Sequence, residues 1–290
     1  MKTRTLFKFT PLLLCGLITA GVASTAQAQA QAANPAQGLL DGKFSFNLGA
    51  FVVQSDLNAN LNGQSTSNPE INFNDTLGTG SDSTRVRADA LWRITPTQHL
   101  RFMYFDNTSE SSRVINKSIK WGDYTFQVGA NVAAKSKFQI TELAYEYAFM
   151  RQPNYELAGS LGVHYTDLTM ELSGAASITN SNGTVTTVPV ATKAGSLPMP
   201  LPVIGLRGGW IVAPRVYLDA QAQFFRAKVG DYDAQLSEFR AGATYMFTPN
   251  YGIGLGYNRF HTDVDVTKND FNGRASFGYS GLQLFLSGAF

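Results

Sequence analysis

The sequence predicts an all-β fold: a closed antiparallel transmembrane β-barrel of about ten strands, with eight or twelve as the other counts. Three observations predict it. The chain ends on Leu282-Gln283-Leu284-Phe285-Leu286-Ser287-Gly288-Ala289-Phe290, where Leu282, Leu284, Leu286 and Phe290 share one face. Gln283, Ser287 and Ala289 take the other face, with Phe285 as the exception. Similar period-two runs recur along the chain, which is the spacing of half-buried strands. The connections between them alternate between short Pro-bearing turns and long polar segments, the layout of a membrane barrel.

The N-terminus carries Lys2, Arg4 and Lys8, an apolar run over 11–23, and small residues at Ala26-Gln27-Ala28 and Ala28-Gln29-Ala30. This predicts a secretory signal peptide over 1–28, cleaved after 28 or 30. Residues 29–42 then make a short lead and 43–290 the barrel. The apolar run is shorter than the roughly twenty residues that a spanning helix needs, so strands must do the crossing. Cys15 is the one cysteine and lies in the signal, with Leu14 where a lipidation site wants a small residue. The mature chain therefore has no thiol or disulfide chemistry. The signal holds three of the 23 Lys and Arg and none of the 21 Asp and Glu, which leaves 20 against 21. That balance excludes nucleic acid as an expected partner.

The strands follow in order. The first, 43–53, presents Phe44, Phe46, Leu48, Ala50 and Val52. The second, 84–94, sets Val86, Ala88, Ala90, Trp92 and Ile94 against Arg85, Arg87, Asp89 and Arg93. The third starts at His99 with Leu100, Phe102 and Tyr104 outward. The fourth ends at Phe149, with Leu143, Tyr145 and Tyr147 outward and Glu142 and Glu146 inward. The fifth runs from Tyr155 to about Leu172. The sixth carries Ile204, Leu206 and Trp210 outward and Arg207 inward. The seventh sets Val216, Leu218 and Phe224 against Asp219, Gln221 and Gln223. The eighth sets Phe239, Tyr245 and Phe247 against Glu238 and Arg240. The ninth has Ile253, Leu255 and Tyr257 over Gly252, Gly254 and Gly256, and the tenth is the terminal strand.

Turns fall at Thr95-Pro96-Thr97-Gln98, Arg151-Gln152-Pro153-Asn154, Ala213-Pro214-Arg215 and Thr248-Pro249-Asn250. Pro presets φ for a turn and cannot donate to a ladder. The long connections are read as 54–83, 111–137, 173–200, 229–234 and 263–272, with room for a further hairpin or strand extensions within 114–132. Short turns are read as periplasmic, which puts both termini on that side.

Trp92, Tyr147, Phe149, Tyr155, Trp210, Tyr245, Phe247, Tyr251 and Phe290 all lie near a Pro turn or the terminus and point outward by parity. They are read as an aromatic girdle at one membrane interface. Arg87, Asp89, Glu142, Glu146, Arg207, Asp219, Glu238 and Arg240 point inward and are read as a charge network lining a narrow lumen. Mixed signs at mid-membrane depth demand partners or water. A barrel near ten strands is largely filled by its own side chains. Gly252, Gly254 and Gly256 are read as making room for bulky neighbours.

His99, His164 and His261 are the three histidines. A rim enzyme would pair His164 or His261 with carboxylates to activate water. Asp263-Val264-Asp265 lacks the Gly and Glu that a calcium loop needs. The reading therefore assigns no catalytic residue, no metal and no cofactor.

A lipid-facing strand that stops at an aromatic resembles the ending of bacterial outer-membrane β-barrel proteins, and within them the chain is similar to the small OmpA-like and OmpW-like barrels. The resemblance implies residence in the outer membrane among its lipids. It also implies that Leu282, Leu284, Leu286 and Phe290 act as an assembly signal for the barrel-insertion machinery. The function read from this is surface structure or interaction, or limited passage of a small solute, with an unidentified extracellular ligand as a further partner. The alternatives are a rim-located hydrolase, omptin-like or lipid-modifying, and a conduit for small apolar molecules.

Overall fold

The computed structural model describes residues 34–63, 71–78, 83–121, 124–179, 182–267 and 272–290. The signal peptide and the start of the lead lie outside them. The elements are α1 (Gln37–Asp41), β1 (Phe44–Gly63), β2 (Ile71–Asn72), α2 (Phe73–Leu77), β3 (Ser83–Arg93), β4 (Gln98–Val114), β5 (Ile119–Trp121), β6 (Tyr124–Phe126), β7 (Asn131–Gln152), β8 (Tyr155–Thr179), β9 (Val185–Ala213), β10 (Val216–Val229), β11 (Tyr232–Met246), β12 (Tyr251–Thr267) and β13 (Asn272–Ala289).

Ten long strands, β1, β3, β4 and β7 to β13, pair antiparallel in chain order. The ring closes between β1 and β13, where Ser45 faces Ala289 and Val52 faces Leu282. Phe44 and Phe290 exchange both backbone hydrogen bonds at 2.8 Å. Closure removes the sheet edges that would otherwise seek partners. Two of the turns share one device. In Thr95-Pro96 and Thr248-Pro249 the threonine hydroxyl accepts amide hydrogen bonds from the next residues, at 3.0 Å from Gln98 and 2.9 Å from Tyr251. The side chain thus supplies acceptors that the sharp reversal would leave missing.

Period-two alternation continues well beyond the apolar stretches, and there the structure departs from the sequence reading. Much of 54–83, 111–137 and 173–200, expected as loops, is strand: β1 runs to Gly63, β4 to Val114, β8 to Thr179, and β9 starts at Val185. An apolar outward face stops well short of the end of each strand. Past the apolar belt the faces exchange roles, while the backbone ladder, indifferent to side-chain polarity, carries on. Along β12, Tyr251, Ile253, Leu255 and Tyr257 are exposed, followed outward by Arg259 and His261. Inward, Gly252, Gly254, Gly256 and Asn258 give way to Phe260, Thr262 and Val264. Of the two readings of 114–132, a further hairpin or strand extensions, the segment holds the hairpin β5–β6.

One seam in the wall has a chemical cause. The β9–β10 ladder stops at Ile204–Phe224, whereas β10 pairs with β11 on to Val229. The next rungs would oppose Pro202 to Arg226 and Pro200 to Lys228. The Ile211 amide bonds Asn154 beside β8. By alternation, positions 198, 200 and 202 therefore turn their nitrogens toward β10, and as prolines they have no N–H to offer.

The interior is filled at three levels. At the turn end α1 enters the barrel, and Ala36, Leu39 and Leu40 pack on Ile211, Tyr217, Met246 and Ala289. Residues 34–42, read as a lead, thus fold with the barrel. Arg93 donates to the carbonyls of Leu39 at 2.7 Å and Gly42 at 3.0 Å, fixing that plug. The middle level is charged. The end away from the turns, an arm formed by the extended strands, holds one aromatic and aliphatic core of Phe51, Phe105, Phe138, Phe260, Phe277 and Tyr279, roofed by Phe73 and Leu77 of α2 and by Ile119 and Phe126 of the β5–β6 hairpin.

Candidate functional site: the charged lumen

The middle level is built by residues that alternate with wall-facing apolar ones, so each strand delivers its charge inward every second position. Arg101 of β4 lies between two glutamates of β7, donating to Glu146 at 2.7 Å and to both oxygens of Glu142 at 2.8 and 3.0 Å. Arg207 of β9 bonds the other oxygen of Glu146 at 2.7 Å and Glu156 of β8 at 2.6 Å. A second series crosses the opposite wall. Arg240 bonds Asp89 at 2.5 Å and lies 3.8 Å from Asp219. Arg87 lies 3.3 Å from Asp89 and 3.5 Å from Glu238.

His164 joins the two series. Its Nε2 lies 3.3 Å from Glu142 Oε2, 3.5 Å from Glu238 Oε2 and 3.1 Å from Gln223 Oε1. Gln223 donates to Glu142 at 2.7 Å, and Asn258 donates to Glu238 at 2.5 Å. The whole reads as one chain of alternating sign: Asp219, Arg240, Asp89, Arg87, Glu238, His164, Glu142, Arg101, Glu146, Arg207, Glu156. Desolvating these ions costs several kcal/mol each, and close partners on both sides offset that cost. A cavity of about 70 Å³ separates the chain from α1, with Asp89, Arg101, Arg207, Tyr217, Asp219 and Arg240 among its lining residues. It has room for a few waters only.

All eight charges singled out in the sequence occur in this chain. Arg101 and Glu156 were not singled out, although parity alone places them inward, beside Leu100 and Leu157. Phe285 is buried with its ring against Gly254, where an added Cβ would stand 2.2 Å from the ring tip. His261 faces outward on the arm, not into the lumen. It bonds Asp263 at 3.0 Å, and Gln235 donates to the same carboxylate at 2.6 Å.

On the outer wall Trp92, Tyr147, Phe149, Trp210, Tyr245, Phe247, Tyr251 and Phe290 are exposed near the turn end, and Tyr155 is half-buried. Phe290 stacks on Phe46 and meets Tyr251 edge-on. Leu282, Leu284 and Leu286 are exposed beside them. A second ring, Tyr165, Phe224, Phe239 and Tyr257 with half-buried Tyr104, marks where the wall turns polar. Each of these is the last outward aromatic before a polar outward residue, a signal present in the sequence but not used.

No family model and no curated protein matches the chain. Among solved structures it is similar to the outer membrane protease OmpT from Escherichia coli, with TM-score 0.54 and 11% identity over 86% of this chain and 97% of OmpT. The toluene transporter TodX from Pseudomonas putida has TM-score 0.37 and 10% identity over 89% of this chain and 92% of its own. The attachment invasion locus protein Ail of Yersinia pestis has TM-score 0.27 and 9% identity over 84% and 98%. Only the first score carries weight for architecture. With the ring of ten strands, it identifies the fold as the closed antiparallel barrel of bacterial outer-membrane proteins.

Proposed function

We propose that the protein resides in the bacterial outer membrane, turn end toward the periplasm, as a sealed barrel that acts in surface structure and interaction through its arm. The carrying observation is the filled interior: α1, the ion-pair chain and the aromatic core occupy successive levels. The two outward aromatic rings enclose an apolar band suited to lipid. The arm, from β7, β8 and β9 strands of 22, 25 and 29 residues, rises far beyond the roughly ten residues that a crossing needs. The signal peptide over 1–28 supplies the route, and the insertion machinery would read Leu282, Leu284, Leu286 and Phe290. Deleting Phe290 should impair assembly rather than any activity.

Planar-bilayer recording tests the sealed barrel directly. The expected result is no steady unitary conductance. Stable ion-selective steps would replace this reading with limited small-solute passage. The conduit for small apolar molecules draws support from the unzipped β9–β10 seam, behind which lie Met199, Leu201 and half-buried Phe225. Saturable uptake of an aromatic hydrocarbon that depends on this protein would favour it. The rim hydrolase rests on His261–Asp263, which has no nucleophile hydrogen-bonded to the ring among the described residues. Hydrolysis lost in His261→Ala would restore that alternative.

A further inference from the structure

Along the lumen chain the groups between successive carboxylates are guanidiniums save at His164, while His99 Nδ1 lies 3.9 Å from Glu146 and 3.8 Å from Glu156 beside Arg207. Asp219, Asp89, Glu238, Glu142, Glu146 and Glu156 are separated by Arg240, Arg87, His164, Arg101 and Arg207 in turn. His164 thus holds a cation's place without a fixed charge. Six carboxylates face four guanidiniums along the chain, and Arg151 lies 3.9 Å from Glu156 at its end. Arg93, near its Glu156 end, gives its guanidinium to the Leu39 and Gly42 carbonyls.

The local geometry is unusual for a hydrogen-bonded histidine. Three oxygens, from Glu142, Glu238 and Gln223, stand 3.3, 3.5 and 3.1 Å from one ring nitrogen. A single Nε2–H serves one of them well. The Glu238 Oε2 atom is buried and has no hydrogen-bond partner among the described residues. The two carboxylate distances match a different arrangement, with the Gln223 oxygen slightly closer. Ligands at about 2.0–2.2 Å around a tetrahedral ion stand about 3.3–3.6 Å from one another. The ligand atoms of Glu142, His164 and Glu238 all lie within 4.8 Å of one another, and all three residues are buried.

We propose that Glu142, His164 and Glu238, with the amide oxygen of Gln223, bind a divalent transition-metal ion of the zinc class. One imidazole nitrogen, two carboxylates and one amide oxygen suit such an ion. Arg101 on Glu142 and Asn258 on Glu238 are the outer partners that orient the carboxylates. The ligands come from β7, β8, β10 and β11, so the ion would staple β7–β8 to β10–β11 across the lumen. The rival occupant is a proton on His164. Either occupant leaves the Nδ1–H without a partner among the described residues, so the two differ at Nε2 alone.

The test refolds the full chain from denaturant into detergent, first with a chelator and then with zinc ion, and desalts it. Metal per folded chain is read by elemental analysis, and folding by heat-modifiable gel mobility. The expected result is about one zinc per wild-type chain, falling at least tenfold in Glu238→Gln and in His164→Gln. The His261→Ala control, which removes the exposed His261–Asp263 pair, should keep the full amount. X-ray absorption on the wild type needs no variant, and one imidazole nitrogen with oxygen ligands near 2.0–2.2 Å is expected. Zinc well below one per folded chain overturns the proposal. So does zinc retained in folded Glu238→Gln and His164→Gln, zinc lost only in His261→Ala, or an absorption spectrum without an imidazole ligand.

Discussion

The belt and the arm of this barrel are built from the same strands with their faces exchanged. Below the ring of Tyr104, Tyr165, Phe224, Phe239 and Tyr257, the wall is apolar outside and charged inside. Above it, the wall is polar outside and aromatic inside. On β7, outward Tyr145 and Leu143 give way to Lys137 and Lys135, while inward Glu146 and Glu142 give way to Ile140 and Phe138. The solvent explains the inversion. Against lipid, the outward face must be apolar and polar groups gather inside. Above the membrane, water surrounds the wall, and burying apolar area inside becomes the driving force. The arm therefore has the inner packing of a soluble barrel, and the belt does not.

The largest expected effect comes from cutting the belt's ion chain. Glu146→Ala leaves Arg101 and Arg207 each short of a carboxylate in a nearly filled interior, at a cost of about 3–5 kcal/mol. Denaturant unfolding in lipid vesicles measures it, and a cost below 1 kcal/mol would mean that water already solvates the lumen. Next is a paired substitution across the boundary. Leu284→Arg puts a charge on the lipid face and should cost about 2–4 kcal/mol. Thr169→Arg, outward on the arm, should cost less than about 0.5 kcal/mol. Equal costs in the two would erase the distinction between belt and arm.

The seam offers a smaller effect. Replacing Pro198, Pro200 and Pro202 with Thr returns three donors to the β9 edge and should gain about 1 kcal/mol. Slowed hydrogen exchange at the Arg226 and Lys228 amides would show the ladder lengthening, and unchanged exchange would place the cause elsewhere. The smallest effect is acid sensitivity on the arm. Burial pushes the Asp263 carboxyl up, but hydrogen bonds from Ser276 and Gln235 together with the His261 ring outweigh it and hold it below the ordinary range. A lowered folded value means that this pair's contribution is present above about pH 4 and lost as pH falls through the folded value. Local exchange around β12 followed from pH 6 to 3 should show protection fading only in that acid window. Asp263→Asn should abolish the dependence.

Much of the belt was legible residue by residue. Trp92, Leu284 and Glu142 face the sides that their parity in the sequence assigns, because side-chain direction in a strand is set by its nearest neighbours. The Thr-Pro turns are local for the same reason, and the pairing of β13 with β1 follows once every other strand has a partner. The extent of β8 and β9 was not legible, because the reading tracked an apolar outward face that the arm reverses. The plugs by α1, α2 and the β5–β6 hairpin were not legible either, since a short segment carries no mark of the cavity that it fills. What the sequence determined alone is which way the belt side chains point and where the Pro turns fall. Only the tertiary structure decided which Arg meets which Glu across the lumen, and that His164 stands between Glu142 and Glu238. Those meetings depend on the diameter of the ring and the stagger of its strands, which all ten strands set together.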